Sequence, residues 1–220
     1  MKIIAINGSP RKNNNTATLC KEFLYGVKSV DNNIETEIIN IYDLNFTGCK
    51  SCFGCKRAEG NTYGKCIIKD DLINVLDKVA NADGLVFGSP IYLGDISAQL
   101  KCFLERLLFP FITYEKGHKT IAPKRMPTAM IYTMNATEEL MEPLKYYETL
   151  SRTEGNLEHV FTKPELYYSF NTYQFNNYAN YKADLFSESA KAEQREKQFP
   201  IDCKNAFNGG KKMALSITNR

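Results

Sequence analysis

The sequence predicts an α/β protein with a doubly wound parallel sheet covered by helices on both faces. Short apolar runs alternate with segments of helical periodicity, and two of the runs end at a Gly-Ser-Pro break. Strands that alternate with helices form βαβ units with right-handed crossovers, so three layers are expected. The 220 residues, 43% of them apolar, suit a single domain over residues 1–220.

The first half of the chain contains two predicted strands and one helix. A buried strand is expected at residues 2–7, and a helix begins near Thr16. One face of this helix is apolar: Leu19, Cys20, Phe23, Leu24 and Val27. A second strand is expected at residues 34–41. An irregular stretch at residues 44–69 then interrupts the pattern, and it contains a cysteine-rich segment, residues 48–66.

The second half resumes the alternation. Asp70 and Asp71 are expected to open a helix, because carboxylates suit the positive end of a helix dipole. A buried strand at 84–88, a helix with Ile96, Leu100, Phe103, Leu104, Leu107 and Leu108 on one face, and a strand at 125–133 follow. A weaker strand is expected within 158–168. The aromatic-rich C-terminal extension, about 160–220, includes a charged helix near 187–197 and is expected to complete the core, cover a neighbouring subunit or form a lid.

Composition excludes several classes of function. The net charge is +3, and its 28 basic and 25 acidic residues are interspersed, which argues against a nucleic-acid partner. No apolar run reaches membrane-spanning length and no export signal is recognised, so a cytoplasmic protein without a membrane partner is expected. Seven cysteines in a reducing compartment indicate metal or redox chemistry. The isolated Cys20, Cys102 and Cys203 are expected to pack as apolar side chains.

The first loop, residues 7–16 (NGSPRKNNNT), leads from a buried strand to the start of a helix. Unpaired N–H groups at a helix start favour a phosphate, and hydroxyl and guanidinium groups would complete its binding shell. An ordinary capping loop, with Thr16 as the cap, is the alternative. The sequence contains neither a GxxxxGK[ST] loop nor GxGxxG after the first strand, so triphosphate and dinucleotide motifs are excluded.

The second loop, residues 88–97 (GSPIYLGDIS), follows the third strand. With strand order 2-1-3-4-5, the ends of the first and third strands flank the switch point, where ligands bind. The backbone of this loop and the Tyr92 ring suit a flat ring system, while the first loop suits its phosphate. A phosphate joined to a planar ring is a mononucleotide, and FMN is the mononucleotide expected.

These motifs resemble, in their order, those of the flavodoxin-like NAD(P)H-dependent FMN reductase superfamily and its iron-sulfur flavoprotein branch. The matching stretches are NGSPRKNNNT, GCKSCFGCK with the later GKCIIKDDL, and GSPIYLGDISAQLKCFLER, within residues 1–135. The resemblance implies a flavodoxin-like sheet of order 2-1-3-4-5, bound FMN, NAD(P)H as electron donor, and a small-molecule or protein electron acceptor. It also implies a homodimer or homotetramer.

The resemblance assigns FMN contacts to three loops. In the first loop they are Ser9, Arg11, Asn13, Asn15 and Thr16, and in the second loop Pro90, Ile91, Tyr92, Leu93, Gly94 and Asp95. Met134 and Asn135 form a third loop after the fourth strand. Asn14 stands where family members commonly have Gly, and Asn tolerates a left-handed backbone. No side chain is expected to be catalytic, since the cofactor is the reaction centre.

Four cysteines supply the ligand count of a [4Fe–4S] cluster. Cys49, Cys52 and Cys55 are each separated by two residues, and ten residues separate Cys55 from Cys66. Zinc, cycling of Cys52 and Cys55 as a dithiol, and simple packing are the alternatives, and iron is favoured. The two histidines, His118 and His159, are expected on the surface.

Two functions follow from these expectations. The first is an FMN-dependent NAD(P)H oxidoreductase that passes electrons to an acceptor. The alternative is an iron-sulfur electron carrier that exchanges electrons with ferredoxin-like partners through a [4Fe–4S] cluster. A dimeric binding or sensor protein is a weaker third reading.

Overall fold

The computed structural model describes residues 1–219. Its strands are β1 (Lys2–Asn7), β2 (Glu35–Asn40), β3 (Gly84–Tyr92), β4 (Asp95–Ile96), β5 (Thr128–Thr133) and β6 (Glu165–Ser169). Its α-helices are α1 (Asn15–Lys28), α2 (Ile73–Ala80), α3 (Ala98–Leu108), α4 (Tyr146–Val160), α5 (Glu188–Glu193) and α6 (Phe199–Thr218). A π-helical turn, Gln194–Gln198, joins α5 to α6.

The strands form one parallel sheet of order β2-β1-β3-β5-β6, and the two-residue β4 pairs antiparallel with the end of β3. When only the parallel strands are numbered along the chain, this order is 2-1-3-4-5, so the predicted topology is confirmed. Asn7 at the end of β1 pairs with Gly88 of β3 on one side and with Asn40 of β2 on the other. The loops that follow β1 and β3 therefore leave the sheet side by side.

The strands bury side chains on both faces of the sheet. Ile4 and Ile6 of β1 pack with apolar residues of α2, α3 and α4, whereas Ile3 and Ala5 pack with α1 and α6. Successive side chains of a strand point to opposite faces, so a strand buried on both sides is continuously apolar. The three-layer arrangement expected from the sequence is therefore present.

Helices α1 and α6 touch through their backbones. A Cβ atom added at Gly26 would lie 1.8 Å from the carbonyl oxygen of Phe207, and one at Gly210 would lie 1.8 Å from that of Phe23. Only glycine permits so close an approach, because any side chain would separate the two helices. The C-terminal extension thus completes the core on this face of the sheet, which is one of the three roles expected for it.

Several predicted element boundaries differ from the structure. Helix α2 begins at Ile73, three residues after Asp70. The Asp70 carboxylate accepts the Leu72 N–H at 3.1 Å just before the helix, as expected of a residue that opens it, and also binds Arg106. Ile96 belongs to β4, because Ser97 caps α3 by accepting a hydrogen bond from the Leu100 N–H at 3.3 Å. Helix α4 was not predicted, since its sequence is largely polar and buries little more than Leu150, Thr153, Leu157 and Val160.

Within residues 1–219, none of the helices combines the length and the apolar character that crossing a membrane would require.

Candidate functional site

The first loop is fastened to β3 at the switch point of the sheet. The Gly8 N–H donates to the Gly88 carbonyl oxygen at 2.8 Å, and the Ser97 hydroxyl donates to the Gly8 carbonyl oxygen at 2.7 Å. A Cβ atom at Gly8 would lie 2.8 Å from the Gly88 oxygen, so the two backbones meet without an intervening side chain. The loop therefore has a fixed starting point beside the second loop.

Inside the first loop, side chains hold the backbone in position. The buried Asn7 accepts the Ser9 N–H at 3.2 Å, and the Ser9 hydroxyl accepts the Arg11 N–H at 3.2 Å. Asn14 has an extended backbone with φ −102°, so the left-handed turn considered for it does not occur. Helix α1 begins at Asn15, and Thr16 lies in its first turn with its hydroxyl 2.7 Å from that of Thr133. Thr16 is therefore not the cap.

The N-terminus of α1 borders a cavity at the switch point. Asn14, the N-cap residue, makes no side-chain capping hydrogen bond. The lining residues are Ser9, Arg11, Asn14, Asn15, Thr16, Pro90, Ile91, Tyr92, Thr133, Met134, Asn135, Thr172, Tyr173 and Gln174. Since the first N–H groups of a helix lack partners within it and carry partial positive charge, this cavity favours an anion.

Residues 171–178, here called the strap, lie across the first loop. The Arg11 guanidinium donates to the Gln174 carbonyl oxygen at 2.7 Å, and the Asn15 amide donates to that of Tyr173 at 3.1 Å. The cavity left beneath the strap measures about 80 Å³. Ligand pockets usually enclose about 300–1,000 Å³. The enclosed space thus suits a small anionic group better than a whole nucleotide.

The second loop is a β-hairpin. Tyr92 pairs with Asp95, and the two residues between them, Leu93 and Gly94, both have positive φ (+51° and +85°), as a type I′ turn requires. The Leu93 side chain is fully exposed. Burial is the main cause that raises the pKa of Tyr92 above its ordinary value.

Most of the predicted contact residues lie together. Nine of them line the cavity: Ser9, Arg11, Asn15, Thr16, Pro90, Ile91, Tyr92, Met134 and Asn135. Four do not: Asn13, Leu93, Gly94 and Asp95. Asn13 is exposed and accepts from the Lys21 ammonium at 3.4 Å, and Asp95 accepts its neighbour's N–H, that of Ile96, at 2.7 Å. Their roles toward FMN stay predictions.

The third loop presents a polar atom that lacks a partner. The side-chain oxygen of Asn135 is buried and has no hydrogen-bond partner among the residues described. Buried acceptors are normally paired, so this atom suits a donor brought by a ligand, such as a ribityl hydroxyl or ring N–H of FMN. This atom and the anion-favouring α1 terminus are groups that a phosphorylated flavin would use once the cavity of about 80 Å³ beneath the strap widens.

Sequence reasoning missed five lining residues: Asn14, Thr133, Thr172, Tyr173 and Gln174. Thr133 is the last residue of a predicted strand. Its position at the edge of the sheet where the first and second loops begin could therefore have been inferred from the sequence. The strap residues carry no such signal beyond their aromatic content, because an irregular segment far along the chain has no periodicity that places it.

The cysteine-rich segment packs on α3. Cys49 donates its backbone N–H to Glu105 at 3.1 Å, and the Cys66 sulfur accepts the Nε–H of Arg106 at 2.9 Å. Cys55 is buried, and burial raises the pKa of its thiol. Cys52 is exposed. All seven cysteines are free thiols in this structure.

The predicted metal ligands are not gathered into a ligand set. Across residues 1–219, no group of three or more His, Cys, Asp or Glu side chains is arranged to hold a metal ion. Cys66 is instead bound to the buried Arg106. Cys49, Cys52, Cys55 and Cys66 therefore form no single-ion site in the described chain. A [4Fe–4S] cluster needs sulfurs further apart than one ion does, and a cluster-bound thiolate can also accept a hydrogen bond such as the one from Arg106 to Cys66.

The two histidines lie together on one side of the molecule. Their rings stack with centroids 4.9 Å apart. His118 is exposed as expected, but His159 is only partly exposed, and its Nε2 is buried without a partner among the described residues. The surface expectation thus holds for His118 and not for the His159 ring.

The sheet is that of a doubly wound α/β protein, and the cavity lies at its switch point, where such proteins bind ligands. A family model described as NADPH-dependent FMN reductase matches residues 1–145. The chain therefore belongs to the NADPH-dependent FMN reductase family.

Curated relatives include several iron-sulfur flavoproteins. One from Methanocaldococcus jannaschii is 42% identical over 106 residues, which cover 48% of this chain and 51% of that protein. One from Clostridioides difficile is 37% identical over 139 residues, which cover 56% of this chain and 59% of that protein. The chain thus spans about half the length of the curated relatives it matches.

Solved structures confirm the fold along the whole chain. The azoreductase AzrA aligns with a TM-score of 0.69 at 14% identity, covering 96% of this chain and 100% of that one. An NAD(P)H:quinone oxidoreductase from Methanothermobacter marburgensis aligns with a TM-score of 0.65 at 15% identity, covering 96% of each chain. An FMN-dependent NADH-azoreductase from Bacillus anthracis, in complex with FMN, aligns with a TM-score of 0.67 at 13% identity, covering 97% of this chain and 100% of that one.

Proposed function

We propose that the protein is an FMN-dependent oxidoreductase that passes electrons from NAD(P)H through bound FMN to an acceptor. The observation that carries this proposal is the cavity at the switch point, where the α1 terminus, Arg11 and the partnerless oxygen of Asn135 converge. Membership of the NADPH-dependent FMN reductase family supports it. FMN supplies the redox chemistry when bound, so the chain needs no catalytic side chain of its own.

The residues of the first loop bind the phosphate in this proposal. Ser9 and Thr16 offer hydroxyls, and Arg11 offers a guanidinium that now donates to the neutral Gln174 carbonyl at 2.7 Å. A hydrogen bond between two ionised groups is roughly twice as strong as one between neutral groups. A phosphate in the cavity would offer Arg11 a charged partner in place of the Gln174 carbonyl, and release of the strap would widen the cavity toward the second loop.

The acceptor is proposed to be a small molecule. The proteins of similar fold include azoreductases and a quinone oxidoreductase, which favours quinones and azo compounds as acceptors to test. The homodimer or homotetramer expected for the chain stays a prediction, and light scattering of the FMN-loaded protein would test it.

Flavin titration of matched variants tests the FMN site. We expect Arg11→Ala to weaken FMN binding by about tenfold to a hundredfold, because a hydrogen bond to a charged group contributes about 1.5–3 kcal/mol. Lys12→Ala is the control, since the adjacent Lys12 pairs with the exposed Asp43 at 2.7 Å and does not line the cavity. Binding is measured by quenching of flavin fluorescence.

The outcomes separate binding from turnover. If the native protein binds no FMN, or if both variants bind it equally well, the proposed site is wrong. If FMN binds but neither NADH nor NADPH reduces it without oxygen, the cofactor assignment stands and the nicotinamide-dependent activity is rejected.

A second candidate is the iron-sulfur electron carrier. It is favoured by the relatives named iron-sulfur flavoproteins and by the four cysteines at 49, 52, 55 and 66. Protein purified without oxygen would be assayed for iron and acid-labile sulfide, and about four irons per chain are expected for a cubane. Cys52→Ser should abolish the iron, while Cys203→Ser in α6 should not. Flavin without iron would reject this candidate.

A further inference from the structure

A lysine lies buried behind the wall of the cavity. Lys191 of α5 has 1% of its surface exposed. Its ammonium donates to the Asn171 side-chain oxygen at 2.8 Å and to the carbonyl oxygens of Asn135 and Thr172, both at 3.4 Å. The ammonium also lies 5.1 Å from the centre of the Phe186 ring. Because Asn135 and Thr172 line the cavity, one layer of residues separates this charge from a ligand.

Lys191 has no anionic partner in the described part of the chain. No ion pair among residues 1–219 includes it, and its hydrogen-bond acceptors are all neutral. The acidic side chains on its own helix and on the neighbouring segments are Glu138, Glu139, Asp184, Glu188 and Glu193, which are exposed, and Asp202.

The ionisable groups around Lys191 are engaged elsewhere. Glu188 accepts from the Tyr173 hydroxyl at 3.0 Å, Glu193 pairs with Lys197 at 2.8 Å, and Asp202 accepts from Ser169 at 2.7 Å. The cations nearby are Arg195, over the Tyr173 ring, and Arg11, on the Gln174 carbonyl.

A buried charge without a counter-charge is costly to a folded protein. Burial lowers the pKa of Lys191 to about 8, so the side chain is mostly charged at pH 7. An anionic ligand in the adjacent cavity would offset this cost. The partnerless oxygen of Asn135, the residue whose carbonyl Lys191 binds, independently indicates that the cavity wall is completed by a ligand.

We propose that Lys191 is a positioning residue that supplies the counter-charge for an anionic ligand and makes the site select FMN over uncharged riboflavin. It acts through Asn135 and Thr172 rather than by touching the ligand. This inference rests on the proposed function, because FMN is the ligand to which it applies.

The test measures the selectivity ratio, which is the dissociation constant for riboflavin divided by that for FMN, between about pH 7 and pH 9.5. A phosphate monoester has its second pKa near 6, so the FMN charge is constant over this range. For the native protein the ratio should fall roughly tenfold as pH rises through about 8 and Lys191 loses its proton. Tyr92 does not interfere, since its pKa is raised above the ordinary value of 10.0.

Three variants decide the result. Lys191→Met should show the low ratio at every pH, and Lys191→Arg should keep the high ratio throughout because a guanidinium stays charged. Lys197→Met, at an exposed lysine on the adjoining π-helical turn, should match the native protein.

If Lys191 has a purely structural role, its replacement would weaken the binding of riboflavin and of FMN by the same factor and leave the ratio unchanged. The inference is overturned by that result, or by a Lys191→Arg ratio that still falls with pH. If Lys191→Met does not fold, the Lys191→Arg profile alone decides. Failure of the native protein to bind either flavin rejects the proposed function together with this inference, whereas FMN binding that is insensitive to Lys191 rejects only the inference.

Discussion

At the scale of single residues, Arg106 ties the cysteine-rich segment to helix α3. Its five N–H donors bind the Cys66 sulfur, the Thr47 and Ile68 carbonyl oxygens, and both oxygens of Asp70. The guanidinium is almost completely buried, at 1% exposure for the residue. Since every donor is satisfied within one segment, a single side chain fixes the conformation of a stretch whose only regular element is a three-residue 3₁₀-helix, Gly54–Lys56.

Replacing this guanidinium should destabilise the protein strongly. We expect Arg106→Met to lower the free energy of unfolding by about 3 kcal/mol or more, because removing one member of a buried ion pair leaves the other uncompensated. Urea unfolding measures the change. Lys78→Met, which breaks the exposed pair with Glu37, is the control and should cost less than about 1 kcal/mol. Equal costs for the two variants would contradict the anchoring role of Arg106.

The same ion pair predicts a dependence of stability on pH. Burial alone would raise the pKa of Asp70, but the hydrogen bonds and charge of Arg106 outweigh it and lower the pKa overall. A carboxyl with a lowered pKa stabilises the fold above its ordinary value of about 3.9, and that contribution is lost as pH falls through the lowered pKa. Asp70→Asn should therefore unfold with a shallower acid dependence below about pH 4. Asp71→Asn, at the adjacent exposed carboxyl, should retain the native dependence.

Sequence reasoning located the loops of the site better than it located individual side chains. Arg11 and Tyr92, two predicted FMN contacts, line the cavity, whereas Leu93 and Asp95 belong to the hairpin of the second loop and do not line it. Position after a strand determines which edge of the sheet a loop reaches. It does not determine which way each side chain points. The sequence analysis missed Lys191 because its burial depends on two segments distant in sequence, at Asn135 and at residues 171–172.

At the scale of secondary-structure elements, α1 and α6 meet most closely in the C-terminal half of α1, at Phe23 and Gly26. Alanine normally stabilises a helix by about 1 kcal/mol relative to glycine. At Gly26 or Gly210 the added methyl would lie 1.8 Å from a carbonyl oxygen of the other helix. Alanine should therefore destabilise the protein at these two positions instead of stabilising it.

We expect Gly26→Ala and Gly210→Ala each to lower the free energy of unfolding by about 1–3 kcal/mol, as overpacking does. Gly155→Ala in α4 is the matched control, since no atom lies within 4 Å of its added Cβ, and it should stabilise by roughly 0.5–1 kcal/mol. Urea unfolding of the three variants measures these differences. A gain of stability at Gly26 would show that the helices lie further apart than described.

The elements that the sequence predicted well are those with one clear periodicity. Strands β1, β3 and β5 are buried apolar runs, whereas the mostly polar α4 and the two-residue β4 give no such signal. The α1–α6 contact could not be predicted from the sequence either. The glycines that permit it have low helix propensity, and their role is evident only when the partner helix is known.

At the scale of the whole molecule, Met1 lies close to the end of helix α6. Met1 and Thr218 line the same surface cavity, which Asp31 and Asp83 also line. A short linker that joins the termini should therefore leave the fold intact. New termini are best tolerated in an exposed loop.

A circular permutant tests the role of the C-terminal extension. A chain that starts at Gly117, in the exposed loop after α3, and joins the original ends should unfold cooperatively. A chain that stops at Gln198 and so lacks α6 should not, because it exposes the apolar faces of α1 and β1. Circular dichroism during urea titration distinguishes them. Cooperative unfolding of the shortened chain would show that α6 is dispensable.

The packing of α6 on α1 also has a consequence for biosynthesis. Residues 15–28 leave the ribosome well before their partner helix, which occupies residues 199–218. At about 5–20 residues per second, translation keeps the two apart for roughly ten seconds or more. During that interval the nascent chain exposes the apolar face of α1 that α6 later covers. Chaperones are thus expected to shield this face until residues 199–218 have emerged.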